Sequence, residues 1–117
     1  MKKITKQAIE AFYGVSLTNE DTKQRHIVRS KGNTQVRQTI HHSGQSYIAE
    51  LWLHGNKIAK RSVEGLAINP QGYCTVTTKE RLNGLPGVHI TQRNFIWRLN
   101  GEELDVNEWT LVRTNPN

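Results

Sequence analysis

The chain holds one cysteine, Cys74, in 117 residues, so it can close no internal disulfide and build no Cys-based tetrahedral zinc cluster. Cys74 reads as a small buried or half-buried hydrophobe in a reducing compartment, because no neighbouring pattern lowers a thiol pKa. No stretch approaches the roughly 20 apolar residues of a membrane-spanning helix, and residues 1–7, MKKITKQ, lack the apolar run that follows the basic start of a secretory signal. A cytoplasmic protein without membrane contact is the expectation. Catalytic signatures are missing too. There is no nucleophile elbow and no Gly-rich phosphate loop, and Gly65, Gly72, Gly84 and Gly87 read as turn residues. Glu102 and Glu103 follow a tight turn, where solvation is expected in place of acid–base work. Nothing in the sequence supports an enzyme, and no cofactor is implied.

Metal chemistry finds little footing. His41 and His42 are adjacent and face opposite ways on a strand, while His26, His54 and His89 have no partner at ligand spacing. Surface or edge histidines are expected.

What the chain does have is positive charge, unevenly placed. Sixteen Lys and Arg stand against ten Asp and Glu. Residues 22–62 hold eight of the cations, Lys23, Arg25, Arg29, Lys31, Arg37, Lys57, Lys60 and Arg61, against Glu50 alone, a net of +7. Residues 99–117 run the other way, with Glu102, Glu103, Asp105 and Glu108 against Arg113. Such polarity suits an anionic partner on one side.

With 35% apolar and 22% charged residues, the chain has enough for one modest core and is read as a single domain, residues 1–117. Residues 5–13 predict a short helix that packs Ala8, Ile9 and Phe12 inward and ends before Gly14. Residues 25–31 are compatible with a strand, followed by a turn at Lys31-Gly32-Asn33. Residues 34–42 alternate, with Val36, Gln38 and Ile40 on one side and Arg37, Thr39 and His41 on the other. Residues 46–54 form the clearest strand, with Tyr47, Ala49, Leu51 and Leu53 facing opposite Ile48, Glu50, Trp52 and His54. Gly55-Asn56 predicts a two-residue hairpin turn, with residues 57–61 returning.

Residues 66–68 give a short strand stopped by the turn Asn69-Pro70-Gln71-Gly72. Thr77-Thr78-Lys79-Glu80 has capping-box spacing for a short helix anchored by Leu82 and Leu85, with Lys79 and Arg81 on its exposed side. Two further strands, 88–92 and 94–99, join near Arg93-Asn94. Asn100-Gly101 is the strongest type I′ signal, leading to a return that reaches Trp109, Leu111 and Val112. Phe95, Trp97, Leu99, Trp109 and Leu111 are expected to pack together in this later meander, as the core. The order predicts an α+β fold: a mainly antiparallel sheet of hairpins with an N-terminal helix and a short central one.

The basic segment is the feature with a chemical mechanism. Arg25, Arg29, Lys31, Arg37, Lys57, Lys60 and Arg61 are candidate phosphate contacts, and Trp52, on the face opposite Leu51 and Leu53, is a candidate surface for base stacking. The competing reading is a solvated sheet edge, since cations on edges block aggregation. A small pocket formed by His54, Thr77, Arg81 and Asn83 would instead favour a nucleotide-binding protein or enzyme.

Residues 53–59 (LHGNKIA), 77–85 (TTKERLNGL) and 99–103 (LNGEE) resemble short accessory proteins encoded by tailed bacteriophages. The likeness runs over about residues 47–112, with residues 1–46 as a basic N-terminal extension carrying a helix and a hairpin. It departs at Gly72-Tyr73, where the group tends to place Trp beside the glycine. No activity or site residue comes with the resemblance. It implies a stoichiometric binder in an infected bacterial cell, whose partner is nucleic acid or a nucleoprotein complex. The alternative it implies is a host protein, including an anti-CRISPR-like inhibitor of a bacterial defence factor.

Overall fold

The computed structural model describes residues 1–13, 25–40 and 46–112, with side chains over 1–13, 30–38 and 48–112. Helix α1 (Lys3–Phe12) is followed by strands β1 (Arg25–Lys31), β2 (Thr34–Ile40), β3 (Ser46–Leu53), β4 (Asn56–Ser62) and β5 (Gly65–Ile68). Helix α2 (Val76–Asn83) precedes β6 (Ile90–Arg93), β7 (Ile96–Leu99), β8 (Glu102–Glu103) and β9 (Thr110–Leu111). Every strand pairing is antiparallel. The strands form a six-stranded sheet in the order β1-β2-β3-β4-β5-β9 and a three-stranded meander, β6-β7-β8. The fold is α+β with an N-terminal and a short central helix, as the residue pattern predicts. Residues 14, 41 and 42 and the side chains of Ile40 and Tyr47 lie outside the description.

Alternation sorts the large sheet into two faces. Val36, Ala49, Leu51, Leu53, Ala59, Leu66 and Ile68 are buried on the inner face, where α1 lays Thr5, Ala8 and Phe12 against them. A bulge interrupts β4. Leu51 pairs with Ala59 but Trp52 pairs with Lys57, so Ile58 is an extra residue between them. Ile58 and Ala59 are consequently buried in succession, and Lys57 and Lys60 come to share the outer face although three positions apart.

The hairpin after β3 differs by one residue from the expected Gly55-Asn56 turn. Leu53 pairs with Asn56, and the central residues are His54 and Gly55, at φ 49° and 80°. Glycine occupies the second position of a type I′ turn, and Asn56 already belongs to the returning strand. Asn100-Gly101 turns as expected, at φ 51° and 90°.

Three burial expectations are corrected. Phe95 is 96% exposed and Leu111 is 56% exposed, so the packed side of the meander is Ile90, Trp97 and Leu99, which joins the core beneath the large sheet. Cys74 is exposed, because the bonds Gly72 N–H to Val106 O and Thr75 N–H to Tyr73 O carry its segment over the surface. Enough solvent is shed there to push its thiol pKa up, away from the reactive thiolate.

Helix α2 begins two residues earlier than the capping-box reading, which makes Thr77 the N-cap, places it. Thr75 is the N-cap, and its hydroxyl accepts the Thr78 N–H at 3.1 Å. Glu80 is thereby free of capping and reaches across to α1. Arg81, expected on the exposed side, is buried at 7% exposure. Its Nη1 donates to Thr5 Oγ1 at 2.8 Å, its Nε donates to Thr34 Oγ1 at 3.1 Å, and it pairs with Glu80. Thr5 donates to Glu80 in turn. One guanidinium thus joins α1, β2 and α2, and the buried stripe of α2 is Thr78, Arg81 and Leu82.

Burial works against ionising Glu80, but hydrogen bonds from Thr5, Arg81 and the Lys2 backbone, with the Arg81 charge, outweigh it and hold the carboxyl below its usual value. Stability from Glu80 is therefore present above its unfolded pKa and lost as pH falls through the lower folded value. In urea unfolding at pH 7 a Glu80→Gln chain is expected to be less stable than wild type, and the gap should narrow steadily below about pH 4. A gap independent of pH would contradict the carboxylate's role.

Gly84, just past α2, sits at an ordinary helical φ of −73°, so turn geometry does not demand glycine there. Close approach does. A Cβ would lie 2.7 Å from Thr5 Cγ2 and 3.3 Å from Ile9 Cγ1, and Thr5 is held by Arg81 and Glu80. Gly84→Ala would gain about 0.4–1 kcal/mol through the unfolded chain but lose about 1–3 kcal/mol to overpacking. A lower urea midpoint is expected, with unchanged m-value.

Candidate functional site

The outer face of the large sheet gathers cations and indoles into a row that crosses the strands. From β2, Arg37 places its guanidinium carbon 3.9 Å from the centre of the Trp52 ring. Gln35 Oε1 steadies that guanidinium, accepting from Nη2 at 2.9 Å and Nε at 3.2 Å. From β4, Lys57 stands between two indoles, with Nζ 5.9 Å from the centres of both Trp52 and Trp109. Lys60 Nζ lies 4.4 Å over Trp109. The row therefore reads Arg37, Trp52, Lys57, Trp109, Lys60.

Glu50 organises its middle. One carboxylate oxygen accepts from Lys57 Nζ at 2.9 Å, and the other accepts from the Trp52 indole N–H at 3.2 Å. Three cations face one carboxylate. Trp52, Trp109, Lys57, Lys60 and Arg37 are all half-buried, so each is packed enough to be placed and open enough to be reached. Cation–π contacts of this kind contribute about 0.5–1 kcal/mol each at exposed positions. The row presents flat π surfaces alternating with positive charge, with no nucleophile or acid–base pair inside it.

Beyond Lys60 the same face opens into a groove of about 420 Å³, lined by Ile48, Lys60, Val63, Glu64, Ala67 and Leu111 among others. Val63 and Leu111 are more than half exposed there.

Of the residues singled out from sequence, Arg37, Trp52, Lys57 and Lys60 come together in this row. Two others lie on the helix side of the sheet. Lys31 donates to Gln7 of α1 at 3.0 Å. Arg61 donates to the Phe12 carbonyl at 3.1 Å and lies 4.4 Å over the Tyr13 ring, closing the C-terminal end of α1 together with Gln38, which donates to the Ala11 carbonyl. Burial pushes the Arg61 pKa down and the Tyr13 pKa up, each opposed by the other's charge. Arg25 and Arg29 belong to β1 by backbone, opposite Ile40 and Val36, and their side chains lie outside the description, as does Lys23.

Trp109 was expected in the core and instead completes the row. Its neighbours Thr110 and Leu111 pair with Ile68 and Ala67, which sets Trp109 and Leu111 outward. The alternation of Trp109 and Leu111 against Thr110 and buried Val112 is the sequence signal that could have found it.

The four residues of the possible pocket do not converge. Arg81 is spent on Thr5, Thr34 and Glu80. Asn83 brackets Ile90, donating to its carbonyl at 3.2 Å and accepting its N–H at 2.6 Å. His54 is exposed in the β3–β4 turn, and Thr77 is half-buried in the first turn of α2. Among the described residues no three His, Cys, Asp or Glu come together as a metal site, and no helix is long and apolar enough to cross a membrane.

Comparison with known proteins returns no matching curated protein and no matching solved structure. One protein-family model, that of the Kyanoviridae Gp96 protein, matches residues 1–115 and so takes in α1, both sheets and the whole cation–indole row. On that match the chain belongs to the Kyanoviridae Gp96 family of phage proteins.

Proposed function

We propose that this phage protein is a non-enzymatic accessory factor that binds single-stranded nucleic acid, free or within a nucleoprotein complex, on the outer face of its large sheet. The observation that carries the reading is the row Arg37, Trp52, Lys57, Trp109, Lys60. A single strand alternates anionic phosphates with flat bases, and a surface that alternates cations with indoles meets both at once. A pleated sheet holds the row open, as a groove closed around a small substrate would not. Lys57 is tied to Glu50, so Arg37 and Lys60 are the cations freest to take phosphates.

Fluorescence titration of the full chain against single- and double-stranded DNA and RNA oligonucleotides at two salt concentrations tests the reading. Tight binding of single strands at low salt is expected, with quenched tryptophan emission and affinity that falls as salt rises. An Arg37→Gln, Lys60→Gln chain should lose roughly 0.7 of log–log salt slope per phosphate contact removed. Trp109→Ala should weaken binding by about 1–3 kcal/mol. Absence of binding at low salt, or binding indifferent to salt, would overturn the reading. A partner captured from nuclease-treated bacterial lysate would then favour the inhibitor of a host or defence protein.

A further inference from the structure

Among the described residues, four two-residue turns set both central residues at positive φ. Three place glycine second, His54-Gly55, Gln71-Gly72 and Asn100-Gly101. The fourth, closing β6 onto β7 where Arg93 pairs with Ile96, is Asn94-Phe95, at φ 53° and 66°. The left-handed region crowds the Cβ of any side chain, and for a bulky residue it is an outlier. Burial does not compensate here, because Phe95 is 96% exposed. The chain thus keeps a large aromatic at a turn position where glycine would be free of strain, and holds its ring wholly in water. Strain of this kind, without a folding return, collects at contact sites.

The surroundings of the ring say what it would contact. Register puts Thr91 opposite Arg98 and Arg93 opposite Ile96, so Arg93, Ile96 and Arg98 share the outward face of the hairpin, away from buried Ile90, Trp97 and Leu99. Between Glu80 and Glu102 the chain has no carboxylate. The acid nearest in register is Glu103, opposite Arg98. The tip therefore offers one exposed π face with two guanidiniums on the strands below it.

We infer that the Phe95 tip is a second nucleic-acid contact, on which an unpaired base stacks while Arg93 and Arg98 take the adjoining phosphates; this rests on the nucleic-acid reading of the sheet face. A base is favoured over an apolar protein pocket because the ring comes with two cations against one acid in register, Arg93 facing Ile96 and only Arg98 facing Glu103, which suits the phosphate–base alternation of a strand. The tight turn fixes the backbone that carries the ring, so binding need order only the side-chain rotamer of Phe95.

The test compares full-length wild type with Phe95→Gly, Phe95→Ala and Phe95→Trp chains, by thermal unfolding and by titration with a single-stranded DNA oligonucleotide. Phe95→Gly should melt above Phe95→Ala by about 3–6 °C, because glycine relieves the turn. Both should bind at least about fivefold more weakly than wild type, and Phe95→Trp should bind within about twofold of it. Phe95→Gly binding as tightly as wild type, while Trp109→Ala binds weakly, would overturn the inference and leave the sheet-face reading standing. Loss of the Phe95→Gly melting advantage would remove its premise. Failure of wild type itself to bind would overturn both.

Discussion

A single buried guanidinium governs how the layers of this protein meet. An arginine taken out of water is tolerated when its donors are matched, and removing one partner of a buried charge costs about 3–5 kcal/mol. Arg81 satisfies that condition by drawing in Thr5 from α1, Thr34 from β2 and Glu80 from its own helix. The same grip forces α2 so close to α1 that position 84 has room for a hydrogen and little more. Both helices are thereby committed to the inner side of the sheet. The outer side is left to the cation–indole row, which owes its accessibility to contacts made on the opposite face.

The hairpins, the α+β order and the inward residues of β2 and β3 are legible because they depend on period-two alternation and on local turn chemistry. The placement of α2 is legible from Leu82 and Leu85, but the burial of Arg81 is not. An eight-residue helix with one leucine inside it and Leu85 just beyond its end leaves the rest of its inner stripe undetermined, and Arg81 lies inward because Thr5 and Thr34, 76 and 47 residues away in sequence, supply the acceptors. Phe95 misleads for a related reason. An aromatic between strand residues reads as core, and only the pairing of Arg93 with Ile96 reveals that it occupies the turn.

The candidate site was half legible for the same cause. Charge counting found Arg37, Lys57 and Lys60 but could not separate them from Lys31 and Arg61, which serve the helix side. Trp52 was found because its neighbours Leu51 and Leu53 alternate cleanly. Trp109 was missed because its place depends on β9 joining β5, a pairing across more than 40 residues; the alternation at 109–112 gives its face but not the strand it joins.

The bulge at Ile58 has a meaning for how this family can vary. Upstream of it, odd-numbered positions of β4 face solvent; downstream, even-numbered ones do. Loss of that one residue would restore regular alternation, with Lys57 still opposite Trp52 and Lys60 still opposite Glu50, so the charge of the face would survive while the core lost one buried side chain. The bulge lets β4 place an additional apolar residue inward without disturbing the row of cations outside.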